Sequence, residues 1–142
     1  MKGEPIVIER VYAAPIDRVW KALTDLEQMK KWYFQVSDFK PVVGFEFQFS
    51  GGTKTETYVH LCKVTQVVQG RKIAYTWRYE GYEGNSEVSF ELFSEGPDKT
   101  KLVLTHEGLE SFPKQPNFGR ESFMAGWTSI TGKSLKNFVE QA

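Results

Sequence analysis

The chain has 142 residues, of which 18 are lysine or arginine and 18 are aspartate or glutamate, so its formal net charge is zero. A chain without excess positive charge has no field that attracts a phosphate backbone, which excludes nucleic acid as an expected partner. The length fits a single domain spanning residues 1–142, and aromatic residues reach 15%. A domain of this size buries roughly two thirds of its unfolded surface, enough for a core that contains a cavity.

The cysteine content and the N-terminus predict the compartment. Cys62 is the single cysteine, which excludes an intrachain disulfide and a cysteine-rich zinc site and fits a reducing environment. Residues 1–12 contain acidic side chains and lack the apolar segment of a signal peptide, and no stretch approaches the length of a membrane span. We therefore expect a cytoplasmic protein without a membrane span, present as a monomer or a weak dimer.

The first third of the chain predicts a strand followed by two short helices. Alternating side chains over residues 5–13 indicate a strand with one buried face. Pro15 favours a helix start, and the helix after it has apolar residues at helical spacing: Ile16, Val19, Trp20 and Leu23. Thr24 or Asp25 can cap a second helix, whose apolar residues repeat that spacing: Leu26, Met29, Trp32 and Tyr33.

Five more strands are predicted in direct succession. Phe45, Phe47 and Phe49 alternate with polar residues, and Gly51 with Gly52 predicts a turn. The long strand that follows loses its alternation over residues 62–68, which predicts a β-bulge. Three further strands show one apolar face each, carried by Ile73, Tyr75, Trp77 and Tyr79, by Val88, Phe90 and Leu92, and by Leu102, Leu104 and His106. Successive strands joined by tight turns form an antiparallel meander.

A long helix is predicted to close the chain over residues 120–141. Gly126 and Gly132 lie inside it, each at a cost of about 1 kcal/mol relative to alanine. They permit either close packing on the sheet or space for a ligand, and packing is the commoner use. The order of elements predicts an α+β fold: a curved antiparallel sheet of about six strands, a long helix over its concave face, and the two short helices plugging one end.

Several segments resemble a known family. "APIDRVWKALTDLEQMKKWY" is similar to the opening of the START-like helix-grip superfamily (SRPBCC), which includes START-type lipid-transfer domains, the birch-pollen allergen fold and polyketide cyclases. "AYTWRY", "KLVLTHEGL" and "AGWTSITGKSLKNFVEQ" resemble homologues of the C-terminal domain of the activator of heat-shock protein 90 ATPase. The resemblance implies a cavity between the sheet and the last helix. The wall positions that it implies are Phe47, Phe49, Tyr75, Trp77, Phe90, Leu104, His106, Met124, Trp127 and Leu135.

The residues themselves indicate polar anchors in such a cavity but no catalytic group. A buried tyrosine hydroxyl needs a partner, so Tyr58, Tyr75 and His106 are the expected determinants of ligand orientation. His106 lies in phase with apolar residues and is more often a core histidine than a general base in such a position. His60 and His106 are the only histidines and have no metal-site spacing. No nucleotide-binding or nucleophile motif is present, so we expect neither a cofactor nor a metal.

Three functions remain open. The first is binding of a small hydrophobic or aromatic molecule in the cavity without chemical change. The second, implied by the resemblance, is a chaperone cofactor or stress-response module that binds a heat-shock chaperone as its partner. The third is an enzyme of the cyclase or dehydratase kind, with His106 and a tyrosine handling protons.

Overall fold

The fold is a six-stranded antiparallel sheet covered by helices. A computed structural model describes residues 5–52, 57–114 and 118–141. The strands are β1 (Ile6–Tyr12), β2 (Glu46–Gly52), β3 (Thr57–Val68), β4 (Lys72–Tyr79), β5 (Ser86–Gly96) and β6 (Lys99–Glu107). They are arranged in the order β1-β6-β5-β4-β3-β2, so the meander predicted from the sequence is confirmed and β1 lies beside the last strand.

Two short helices follow β1, as predicted. They are α1 (Ile16–Thr24) and α2 (Leu26–Trp32). The side chain of Asp25 accepts a hydrogen bond from the backbone N–H of Gln28, so Asp25 is the cap of α2. The indole N–H of Trp32 donates to the carbonyl of Ala22 over 2.7 Å, which joins the two helices. Neither helix is long enough to be stable alone, so both depend on the core beneath them.

The bulge predicted in β3 lies between Val64 and Gln66, where the pairing with β4 shifts by one residue. The turn predicted at Gly51 and Gly52 was wrong, because both glycines belong to β2 and pair with Tyr58 and Thr57. The connection between β2 and β3 therefore falls on residues 53–56, outside the described residues.

The C-terminal helix runs from residue 120 to residue 140 and contains one π-helical segment. Its segments are α3 (Arg120–Ser129), a π-helical segment (Ile130–Leu135) and α4 (Lys136–Glu140). β1 holds the π-helical segment, because the hydroxyl of Tyr12 donates to the carbonyl of Thr131 and the guanidinium of Arg10 donates to its hydroxyl. At the end of α4, Arg18 of α1 donates to the carbonyl of Val139.

The two helix glycines have different surroundings. A Cβ at Gly126 would meet no atom within 4 Å, whereas a Cβ at Gly132 would lie 3.2 Å from a guanidinium nitrogen of Arg10. Gly132 therefore fits the packing role that the sequence predicts. Gly126 fits the alternative, in which the missing side chain leaves open space.

This difference predicts unequal changes in the free energy of unfolding for two alanine substitutions. Gly126→Ala should raise the free energy of unfolding by about 0.5–1 kcal/mol, because alanine favours the helix and nothing obstructs its methyl group. Gly132→Ala should gain less or destabilise, because the Arg10 guanidinium must move away from its contact with Thr131. Urea unfolding of both variants measures the difference, and equal stabilisation would contradict this assignment of the two glycines.

Candidate functional site

An aromatic pocket lies between α3 and the part of the sheet formed by β2, β3 and β4. Its volume is about 210 Å³. The residues that line it are Phe34, Gly51, Tyr58, His60, Trp77, Tyr79, Phe118, Ser122, Phe123, Gly126, Trp127 and Ile130. None of these residues is a lysine, arginine, aspartate or glutamate. The aromatic pocket is therefore an apolar cleft with a few neutral polar groups.

The pocket opens along one row of the C-terminal helix. Ser122, Gly126 and Ile130 follow one another at intervals of four residues, so they lie on the same side of the helix. Ser122 and Gly126 are exposed and Ile130 is half-buried, although all three line the pocket. Since Gly126 has no side chain, the wall is lowest at this point. We take this row as the mouth of the aromatic pocket.

His60 forms part of the pocket wall and is held in one orientation. Its ring stacks on Phe49 with centroids 4.6 Å apart, and the ring of Trp77 meets it edge-on at 4.8 Å. Its Nδ1 lies 3.1 Å from the carbonyl oxygen of Tyr58. A carbonyl only accepts, so Nδ1 carries the proton and donates. Burial lowers the pKa of His60 to about 4, and the ring is neutral at pH 7.

Gly51 lets this wall form. It lies on β2 opposite Tyr58, and a Cβ there would be 3.1 Å from the ring of Phe34 and 3.3 Å from the ring of His60. A methyl group there would require one of these rings to move by a few tenths of an ångström. Glycine therefore suits the close approach of two rings to the strand.

His106 lies beneath the pocket in a chain of hydrogen bonds. Nε1 of Trp127 donates to Nδ1 of His106 over 2.9 Å, which leaves the proton of the neutral ring on Nε2. Nε2 then donates to the Ser86 hydroxyl at 2.8 Å, and that hydroxyl donates to the carbonyl of Trp77 at 2.7 Å. Burial lowers the pKa of His106 to about 3. Both ring nitrogens are engaged, which favours a structural role over proton transfer to a ligand.

The structure brings together only part of the site predicted from the sequence. Tyr58, Trp77 and Trp127 line the aromatic pocket. The remaining predicted positions lie outside the lining: Phe47, Phe49, Tyr75, Phe90, Leu104, Leu135 and His106 are buried, and Met124 is half-buried against the same core. Their part in ligand binding stays a prediction.

Tyr75 shows why a buried tyrosine need not face a ligand. Its hydroxyl lies 2.8 Å from the hydroxyl of Tyr33, and one of the two donates a hydrogen bond to the other. The ring of Tyr33 also stacks on Trp32 and lies against Phe49. The hydroxyl of Tyr75, which was expected to orient a ligand, therefore forms its hydrogen bond inside the core.

Sequence reasoning missed most of the other lining residues. His60 is in phase with Tyr58 and Cys62 on β3, and this alternation was a usable signal for an inward-facing side chain. Phe34 and Phe118 lie in irregular segments, where no periodicity indicates which side chains point inward. No group of three or more potential metal ligands occurs within the part of the chain that is described.

The sheet, the plugging helices, the long helix over the concave face and the pocket beneath it define a START-like helix-grip protein. The sequence profile of one family, described as "Activator of Hsp90 ATPase homolog 1-like protein", matches residues 13–140. The chain belongs to this family.

Solved structures share the fold over nearly the whole chain. Protein CV1439 from Chromobacterium violaceum superposes with a TM-score of 0.82 at 23% identity, covering 98% of this chain and 99% of that one. Protein MLL2253 from Mesorhizobium loti superposes with a TM-score of 0.75 at 26% identity, covering 95% of this chain and 96% of that one. CalU16 from Micromonospora echinospora superposes with a TM-score of 0.72 at 27% identity, covering 95% of this chain and 75% of that one. No functionally curated protein matches the sequence significantly. Among the helices described, none has the length and apolar character to cross a membrane.

The two buried histidines predict a loss of stability in mild acid. Their pKa values are about 4 and about 3 in the folded protein, against about 6.5 when unfolded. Between these values the unfolded state binds more protons, so stability falls as the pH drops below about 6.5 and this contribution levels off below about 3. Together the two rings should lower the free energy of unfolding by about 2 kcal/mol when the pH falls from 6 to 5.

Urea unfolding at pH 7, 6 and 5 measures this slope. The variant His60→Phe keeps a flat ring but cannot be protonated, so it should lose about half of the histidine contribution. A free energy of unfolding that does not change between pH 6 and pH 5, or an undiminished slope in His60→Phe, would contradict the prediction.

Proposed function

We propose that the protein binds a small, neutral, hydrophobic or aromatic molecule in the aromatic pocket without changing it chemically. The observation that carries the proposal is a pocket of about 210 Å³ whose lining, among the described residues, consists mainly of rings and includes no charged side chain. Transfer of an apolar molecule from water into such a site is favourable by about 25 cal/mol per Å² of buried surface. The cytoplasm remains the predicted location and a monomer or weak dimer the predicted state.

The arrangement of polar groups supports binding over catalysis. Acid–base chemistry needs a titratable group within hydrogen-bond reach of the reacting atoms. His60 lines the pocket with a depressed pKa, and His106 has both nitrogens engaged below it. This weakens the cyclase or dehydratase alternative, which depends on His106.

The family supports a second candidate, which is binding to a heat-shock chaperone. Its basis is the family description, activator of Hsp90 ATPase homolog 1-like. The test is a pull-down with purified Hsp90 from the same organism, followed by an ATPase assay. Capture with stimulation of ATP hydrolysis would favour this candidate. The absence of both capture and stimulation would contradict it.

The mouth of the pocket allows a sharp test of ligand binding. Gly126→Leu should place a branched side chain over the opening and weaken binding of 2-naphthol by about tenfold or more, equivalent to about 1.4 kcal/mol. Isothermal titration calorimetry measures the affinity. The control is Ala125→Leu, which adds a leucine at the adjacent exposed position of α3, outside the lining.

Ala125→Leu should bind 2-naphthol like the wild-type protein. Native mass spectrometry of the purified protein, compared with its denatured mass, identifies any ligand that it retains. Equal affinity in all three proteins would show that binding does not use this mouth. Absence of both 2-naphthol binding and a retained ligand would contradict the proposed function.

A further inference from the structure

We propose that the ligand of the aromatic pocket is a planar molecule of one or two rings that donates a hydrogen bond to Nε2 of His60. This inference rests on the proposed function and specifies the chemical class of the ligand. It is carried by the pocket volume, the hydrogen bond that fixes the His60 ring, and the nature of the walls.

The volume sets the size of the ligand. Sites for drug-sized molecules usually span about 300–1,000 Å³, and an engineered apolar cavity of about 150 Å³ holds benzene. The aromatic pocket, at about 210 Å³, lies between these sizes. It therefore accommodates more than one benzene ring and less than a drug-sized molecule.

The walls favour a flat molecule. Trp77 and Trp127 both line the pocket, with centroids 5.2 Å apart and ring planes inclined by 59°. Tyr58 and Tyr79 meet edge-on on the neighbouring strands at 5.7 Å. Aromatic surfaces in this arrangement offer both faces and edges to a further ring, and such ring pairs contribute beyond the area that they bury.

The hydrogen bond that His60 makes determines which polar group a ligand should carry. Nδ1 donates to the Tyr58 carbonyl at 3.1 Å. Among the described residues this is the hydrogen bond that the ring makes, and Nε2 makes none. Because the neutral imidazole has one proton, Nε2 keeps a lone pair that accepts a hydrogen bond. Apart from indole N–H groups, the other polar groups of the described lining are the hydroxyls of Tyr58, Tyr79 and Ser122, which both donate and accept. Nε2 only accepts, so it distinguishes a ligand that donates from one that only accepts.

Indole and benzofuran provide a matched pair of probes. They have the same shape, but benzofuran has an ether oxygen where indole has an N–H. Calorimetric titration of the wild-type protein should show indole binding about tenfold more tightly, because benzofuran leaves the lone pair of His60 without a donor. In His60→Phe the acceptor is absent and a flat ring remains, so the two affinities should become equal. Circular dichroism confirms that the variant is folded.

Nuclear magnetic resonance of the wild-type protein tests the same contact without a variant. The two histidines have opposite tautomers in the structure, since Nδ1 donates in His60 and accepts in His106. Histidine labelled with ¹⁵N resolves both rings at pH 7. Indole should shift the unprotonated Nε2 resonance of His60 toward the protonated range and leave His106, an internal control outside the pocket lining, unchanged.

The outcomes separate this inference from the proposed function. Tighter binding of indole together with movement of the His60 Nε2 resonance supports both. Equal affinities of indole and benzofuran, or a His60 ring protonated on Nε2, overturn the inference and leave aromatic binding intact. Failure of both probes to bind at millimolar concentration overturns the inference and counts against the proposed function.

Discussion

The hydrogen bond from Trp127 to His106 fixes the C-terminal helix on the sheet. Apolar contact alone would hold a helix against a curved sheet without specifying its depth or rotation, because the hydrophobic effect has no direction. The indole N–H lies 2.9 Å from Nδ1 of His106, and Ser86 extends the chain to the carbonyl of Trp77. Trp77 and Trp127 are both pocket walls. One buried chain therefore sets the distance between two walls of the site.

The π-helical segment lets one helix serve two environments. A π-helical turn takes an extra residue and rotates the face that follows. Before it, Trp127 faces the aromatic pocket; Leu135 at its end and Val139 after it lie fully buried in the core. The hydroxyl of Tyr12 occupies the carbonyl of Thr131 in this segment, so β1 stabilises the change of pitch. Gly132 belongs to the same arrangement, since it admits the Arg10 guanidinium.

The fold was predictable where a repeating pattern carried the information. Strand β4 was predicted from the alternation of its apolar residues, which are Ile73, Tyr75, Trp77 and Tyr79. The loss of alternation in β3 predicted the bulge next to Val64. Part of the pocket depends on features without a period. Phe34 enters from a loop, and Gly51 is a glycine inside strand β2, where two rings approach the place of a side chain, although a pair of glycines in sequence is typical of a turn. The tautomer of His106 follows from Trp127 on the C-terminal helix and Ser86 on β5, which no spacing along the chain reveals. The tautomer of His60 follows from the carbonyl of Tyr58 on its own strand, and the alternation of side chains does not show that the ring turns toward it.

The two ends of the molecule show why the cavity lies where it does. At one end the short helices insert Val19, Leu23 and Met29, and these aliphatic side chains fill the space beside α4. At the other end most wall positions are rings or glycines, and rigid rings at inclined angles do not fill the space that glycine leaves open. Among the described residues the lining of this cavity is uncharged, and its polar side-chain groups are hydroxyls, the His60 imidazole and indole N–H groups. The shape of this space and the positions of its few polar atoms are thus set by the way the rings pack.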